Sequence, residues 1–294
     1  MLPTIDSEFY LLSENADAFI ARATLIKVAE GQLDIQYYII HDDASGDHLS
    51  HLLLEAADRG VKVRILVDDI NLSGRDQGLK VFSQHPNIDI RIFNPFSFRD
   101  RLRHLELMVH LARAGRRMHN KVFICDQQTA IIGGRNIGDA YFDARHPVNL
   151  VDLDIMAHGA IVTAICHSFE EYWHSPWARP IEALSSLAVA RHQLKTIRKR
   201  LRDRWHRAIN SHYFRSLQRG QFSEAYSAHR INWSTAPCHL ISDHPDKIIT
   251  PPSTETIHLS PAARALIEGA TSEVLIVTPY FVPGHDGVAW LQRL

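Results

Sequence analysis

His119-Asn120-Lys121-Val122-Phe123-Ile124-Cys125-Asp126 is followed, after six residues, by Gly133-Gly134-Arg135-Asn136. As a pattern this is H-x-K-x4-D-x6-G-G-x-N, and it sets an imidazole, an ammonium, a carboxylate, a glycine pair and an amide within one short stretch. Residues 119–125 read as a strand, Asp126-Gln127-Gln128 as a polar turn, and the apolar residues that follow as a return strand. On a strand, residues two apart share a face, so His119 and Lys121 project together while Val122 and Ile124 face a packing layer. Lysine supplies a compact, rotatable charge for a phosphate oxygen. Imidazole, poised near neutral pH, is a nucleophile when a carboxylate fixes its tautomer. Gly133 and Gly134 would let backbone approach a phosphate, and the Asn136 amide can donate to it. The set is suited to attack at phosphorus and calls for no metal or other cofactor; the 19 histidines form no H-E-x-x-H or similar ligand cluster.

Upstream, strand and helix patterns alternate. Leu33–Ile40 is a β-rich run, Gly46–Asp58 carries Leu49, Leu52, Leu53, Ala56 and Ala57 on one helical stripe closed by Gly60, and Val61–Val67 is a second strand. A short helix at Gln77–Gln84 and a strand at Ile88–Phe93 follow, then a strand at Leu153–Met156 and a helix at Ala160–Tyr172. This order implies an α/β fold with a mixed, largely parallel sheet covered on both faces. Residues 1–183 make the first domain. From Arg191 to Arg219 there are ten Lys or Arg and one acid, with Leu194, Ile197, Leu201, Trp205, Ala208 and Ile209 on one stripe. The stretch reads as a connector helix packed by its apolar stripe, with contact to an anionic bilayer as an added role. Residues 184–256 as a whole make this basic helical and irregular connector, with 220–256 its irregular part.

Val274–Phe281 then repeats the pattern of Leu33–Ile40 at a shift of 241 residues (274 − 33), with Gly287 over Gly46. Residues 257–294 are therefore expected to begin a second, homologous domain that is truncated before its own H-x-K, which would fall near position 360.

The chain of 294 residues is 45% hydrophobic and 22% charged, with a net charge of −1 that offers no global pull toward nucleic acid. Cys125, Cys166 and Cys238 show no metal-like spacing and fit buried thiols in a reducing compartment. The N-terminus has no signal-peptide pattern, and no apolar run is long enough to span a membrane. Arg116 and Arg117 could steer anionic headgroups. Gln36 and Tyr38 lie at the mouth of the first strand. Asp152 and Asp154 share a strand face and suit a buried polar role.

The H-K-D triad with its glycine pair and Asn136 resembles the phospholipase D superfamily. Arg116–Lys121 (RRMHNK), Gly133–Asp143 (GGRNIGDAYFD), Asp152–Gly159 (DLDIMAHG) and Phe93–Arg99 (FNPFSFR) are similar to bacterial cardiolipin synthases, in particular the C-type branch. The resemblance implies an α-β-α sandwich and transfer of a phosphatidyl group between glycerophospholipids, phosphatidylglycerol and phosphatidylethanolamine among them. His119 would form a phosphohistidine, Lys121 and Asn136 would hold phosphoryl oxygens beside Gly133 and Gly134, and Asp126 would orient the histidine. It also implies a peripheral location on the cytoplasmic face of the bacterial inner membrane. The single motif departs from the two-motif pattern, so a homodimer or a missing second half would have to complete the site. The alternatives are a dimeric phosphodiesterase or nuclease of the same superfamily, with nucleic acid not expected as partner, and an inactive fragment that binds lipid phosphate.

Overall fold

The computed structural model describes residues 5–97, 116–144, 149–184, 189–190, 192–208, 222–250, 259–278, 281 and 283–294. Its centre is one nine-stranded sheet. The strands are β1 (Ile5–Leu12), β2 (Gln32–Tyr37), β3 (Lys62–Asp68), β4 (Ile88–Phe93), β5 (Val122–Cys125), β6 (Thr129–Gly133), β7 (Asp154–Gly159), β8 (Ala178–Pro180) and β9 (Ser234–Cys238). They lie in the order β8-β4-β3-β2-β5-β6-β7-β1-β9.

The sheet is mixed, as expected, but its parallel part is smaller than the alternating pattern suggested. Among the described strands, β2–β3 and β3–β4 are the pairs that run parallel. The tight β5–β6 hairpin enters antiparallel beside β2, and β7, β1, β9 and β8 all continue antiparallel. A two-strand hairpin can only return antiparallel, whereas parallel neighbours need a helical crossover.

Those crossovers are helices α2 (Ala44–Asp58) and α3 (Asp76–Phe82); α1 (Asn15–Val28) leads from β1 into β2, and α4 (Ile161–His174) and the short α5 (Ile181–Leu184) follow later. Along β3, Ile65 packs in one buried cluster with Leu25, Leu49 and Leu53, while Leu66 packs in the other with Ile165 and Phe169. Phe123 against Ile124 and Ile131 against Ala130 repeat that two-residue alternation. The sheet is thus buried on both faces, with α1 and α2 on one side and α4 on the other. Each fully buried Leu or Ile contributes roughly 1.5–3 kcal/mol.

Local chemistry sets the element ends. Asp43 caps α2 by accepting from Gly46 N at 3.0 Å. Past its end Gly60 takes φ +100°, a conformation open to glycine at no steric cost. In the β5–β6 hairpin, Asp126 and Gln127 have φ of 50° and 56°, and Gln128 N donates to Cys125 O at 3.0 Å. This is a primed turn, the type whose twist matches a hairpin.

The connector is more integrated than its composition suggested. Helix α6 (His192–Ala208) lays Leu194, Ile197, Leu201 and Trp205 against α2, with Trp205 stacked on His48 at 3.7 Å. Arg198 and Arg204 pair with Asp58 and Asp47 of α2. Packing of the apolar stripe was expected; the irregular continuation was not the whole of it. Helix α7 (Phe222–Ser227) packs on α1, and β9 forms an edge strand on β1. Arg191 and residues 209–219 of the basic stretch, and Phe98 and Arg99, lie outside the described residues.

Beyond it come α8 (Leu259–Glu268) and α9 (Gly284–Leu291). The intervening Val274–Thr278, expected as a repeat of the first strand, is not part of the sheet, and Val274–Val277 are exposed. Tyr280, within the expected strand, lies outside the described residues.

Candidate active site

The parallel strands β2, β3 and β4 end at one edge of the sheet, where ligands gather in open α/β folds. Chain segment 116–121 crosses this edge just before β5. Asp68, the last residue of β3, secures it. One carboxylate oxygen accepts from Arg117 Nε at 2.7 Å, and the other accepts from Met118 N at 2.9 Å. Burial pushes Asp68 up to about 6 despite Arg117 beside it. Asn94, at the end of β4, donates to Arg116 O at 3.2 Å, and Gln36 of β2 reaches the Met118 sulfur at 3.2 Å. Arg117 is therefore a buried ion-pair partner and not a steering charge. Arg116 donates to Ile248 O at 3.2 Å.

The segment presents His119 and Lys121 together, as the sequence indicated, although both sit ahead of the strand proper. Lys121 Nζ lies 2.7 Å from His119 O and 3.2 Å from His119 Nδ1. Tyr38 packs on the imidazole with ring centroids 4.6 Å apart, and Lys121 Nζ stands 5.7 Å over the same tyrosine ring. Tyr38 thus belongs to the site as well as to the packing. His119 keeps one face open to solvent while Tyr38 covers the other, whereas Lys121 is only 6% exposed. Desolvation leads in lowering the histidine, repulsion from Lys121 and Lys247 adds to it, and Asp243 opposes; the result is about 4. Burial likewise lowers Lys121, against the pull of Asp152 and Asp154, to about 8. At neutral pH the pair is a neutral imidazole beside a mostly charged ammonium.

Asp126 is not brought to His119. Six residues separate them, the last four of them strand β5, a span of roughly 20 Å at about 3.3 Å per residue. Its carboxylate instead accepts from the backbone N–H groups of Glu30, Gly31 and Gln32 at 2.9, 2.8 and 2.7 Å. Burial pushes this carboxyl up, but the three amides outweigh it and hold it below the usual range. The expected orientation of the imidazole by Asp126 is replaced by a tie between the hairpin turn and the start of β2.

The glycine pair is crowded by carboxylates. A Cβ on Gly133 would collide with Asp154 and come within 2.5 Å of Leu153 O, and one on Gly134 would collide with Asp152. Asp154 is buried between Arg22 (2.8 Å) and Arg135 (3.5 Å), with Arg22 Nε also donating to Tyr37 OH at 2.8 Å. Asn136 is 4% exposed; its Oδ1 accepts from Ile39 N at 3.2 Å and its Nδ2 donates to Tyr141 OH at 2.9 Å. One Nδ2 hydrogen is enough for that bond, which leaves a second donor on the same nitrogen.

The sequence reading missed Asp68, whose partner Arg117 is 49 residues away, and the short 3-10 helix at Pro245–Ile248 that places Lys247 by the site. The Asp68–Arg117 pairing carries no local signal, whereas Pro245 in the first turn, capped by His244, marks the start of the short helix.

The family description "Cardiolipin synthase, PLD-like domain" matches residues 23–173. The chain is 40% identical over 285 residues to cardiolipin synthase C of Escherichia coli (strain K12), covering 96% of this chain and 59% of that protein. It is 34% identical to an uncharacterized protein of Helicobacter pylori (strain J99), covering 93% of this chain and 54% of that one. A cardiolipin synthase A of Pseudomonas fluorescens is 29% identical over 179 residues, covering 60% of this chain and 35% of that protein. The chain thus spans little more than half the length of the curated relatives it matches over most of its own length. With more than half of its residues inside the matched domain, the chain belongs to the phospholipase D-like cardiolipin synthase family.

Proposed function

We propose that this chain carries the nucleophilic half of a phosphatidyltransferase of the cardiolipin synthase type. The observation that carries the reading is the close pairing of Lys121 with the solvent-exposed His119. An ammonium has only protons to give, so in the resting site it engages the Nδ1 lone pair. A phosphodiester oxygen is a stronger acceptor for that charge. As Lys121 turns to it, the imidazole lone pair is released to attack phosphorus. A P–N bond forms, the P–O bond to the donor's alcohol breaks, and the leaving oxygen takes a proton from a general acid. The acceptor hydroxyl then attacks the phosphohistidine, gives its proton to the same group acting as base, and the P–N bond breaks. Lys121 and the remaining Asn136 donor stabilise charge on the phosphoryl oxygens.

The general acid is supplied by a second histidine, from the further length of a protein like the relatives or from a second copy of this chain. Phosphatidylglycerol and phosphatidylethanolamine are the lipids proposed, with water giving phosphatidic acid as the competing outcome. No helix among the described residues is long and apolar enough to cross a membrane. The protein is proposed to meet its lipids peripherally, at the anionic cytoplasmic face of the bacterial inner membrane.

The test is incubation with short-chain phosphatidylglycerol, alkaline quenching, and peptide mass spectrometry, beside lipid analysis of a longer protein containing this chain. A phosphatidyl adduct on His119, absent from His119→Asn, is expected. Absence of adduct, cardiolipin and phosphatidic acid together would sink the reading.

A further inference from the structure

Lys247 is 7% exposed, although it lies on a surface connector. Its ammonium is 2.5 Å from Asp243 Oδ2, four residues earlier. The short helix that bears it is fastened to the domain from several directions, one of them the segment that carries His119. Arg116 holds Ile248 O at 3.2 Å, Trp177 Nε1 reaches Asp246 at 3.4 Å, and Ser242 meets Ser168 at 3.1 Å. Ile248 is buried in the same apolar cluster as Met118, the neighbour of His119.

These contacts set the helix that bears Lys247 against segment 116–121, and the Lys247 charge disfavours protonation of both His119 and Lys121. Two buried ammonium groups near one nucleophile repel each other. A phosphoryl group entering there would turn that repulsion into attraction on two sides. Asp243 engages one N–H of the Lys247 ammonium, which leaves it further donors for a phosphoryl oxygen.

We propose that Lys247, presented by the connector and held by Asp243, is a further phosphate-binding residue of this site, acting on a phosphoryl oxygen alongside Lys121. The proposal rests on the phosphoryl-transfer reading of His119 and Lys121. It adds a cation that the H-x-K pattern does not contain and makes the connector part of the site.

Binding of inorganic phosphate to the 294-residue chain, followed by phosphorus NMR line broadening, separates this role from that of a plain tether. Lys247→Met is expected to weaken binding on the order of tenfold, the size of one charge-assisted contact. Asp243→Asn removes a competitor for the same ammonium, so binding should be unchanged or tighter. A tether alone predicts equal losses for both, since each breaks the same ion pair, and that result overturns the proposal. So does wild-type affinity in Lys247→Met while Lys121→Met is weakened, which leaves the reading of the site itself standing. Phosphate binding that is absent, or indifferent to Lys121→Met, removes both. Should Lys247→Met not fold, Asp243→Asn/Lys247→Gln, which leaves no unpaired carboxylate, is compared with Asp243→Asn alone in the same way.

Discussion

Lys121 Nζ sits 3.2 Å from His119 Nδ1, and the two groups are held apart in charge by the site: the imidazole falls to about 4 and the ammonium to about 8. The nucleophile is thus in its reactive neutral form from about pH 5 upward, while the phosphate-binding charge is lost as pH rises through 8. Single-turnover adduct formation should have a plateau between those limits. An aryl phosphodiester, whose phenolate leaves without a proton, removes the general acid from the measurement. Lys121→Arg should carry the alkaline limb beyond the measurable range, because guanidinium does not titrate there. An acid limb near the ordinary histidine value of about 6.5 would show that His119 is not desolvated as described.

Asp126 tests the division between the chemical and the architectural parts of the motif. Asp126→Ala strips three backbone N–H groups of their acceptor, and the turn would lose about 1–3 kcal/mol because water replaces part of what is lost. Thermal or urea denaturation should register that loss. Phosphate affinity measured well below the melting temperature should stay near wild type. His119→Asn should show the reverse split, with stability kept and adduct formation lost. An Asp126→Ala protein that is as stable as wild type yet unable to bind phosphate would return Asp126 to the site.

The contrast shows which parts of the molecule its sequence exposes. Alternation and turn chemistry are local, so β2 to β6, the turn at Asp126 and the convergence of His119 with Lys121 were readable from the residues alone. The roles of Asp126, Gly133 and Gly134 were not, because each depends on what the topology brings alongside. Asp126 meets residues 30–32 only because β5 lies antiparallel on β2. Gly133 faces Asp154 only through the β6–β7 register. Strand β1 and connector strand β9 were missed for a related reason: an edge pair is stabilised mainly by its neighbour, and neither stretch has a strong pattern of its own.

The glycine pair gives a third expectation. Gly134→Ala drives a methyl group into the Asp152 carboxylate, an exchangeable side chain, whereas Gly133→Ala also meets the Leu153 carbonyl, which is backbone. Overpacking of this kind costs roughly 1–3 kcal/mol or more. Gly133→Ala should be the worse of the two, because moving Asp154 also disturbs Arg22 and Arg135. Gly134→Ala should be largely rescued by Asp152→Ala, while Gly133→Ala should not be rescued by the same change. Denaturation midpoints of the three singles and two doubles decide it; rescue of both glycine variants alike would mean that the backbone contact at Leu153 is soft.

Asp68 and Arg117 supply the last case, and here pH distinguishes an ion pair from mere packing. Arg117→Met keeps much of the side-chain volume but leaves the buried Asp68 carboxylate without its guanidinium, a loss of about 3–5 kcal/mol for a broken buried pair. Asp68 is already pushed up to about 6 with Arg117 present, and removing the arginine raises it further. A carboxyl raised above its unfolded value is favoured by folding in its protonated form. Its ionisation therefore subtracts stability as pH climbs from about 4, the unfolded value, through the folded pKa. The gap between wild type and Arg117→Met should accordingly be widest at neutral and alkaline pH and narrow on acidification below about 6. The double variant Asp68→Asn/Arg117→Met should flatten that dependence and recover part of the stability, since an amide needs no counter-charge. Segment 116–121 should lose its fixed course in the single variant, so adduct formation at His119 should fall even under conditions where the protein stays folded. A stability gap that is constant from pH 4 to 8 would show that Arg117 contributes through packing on Phe96, over whose ring it lies at 4.8 Å, and not through its charge.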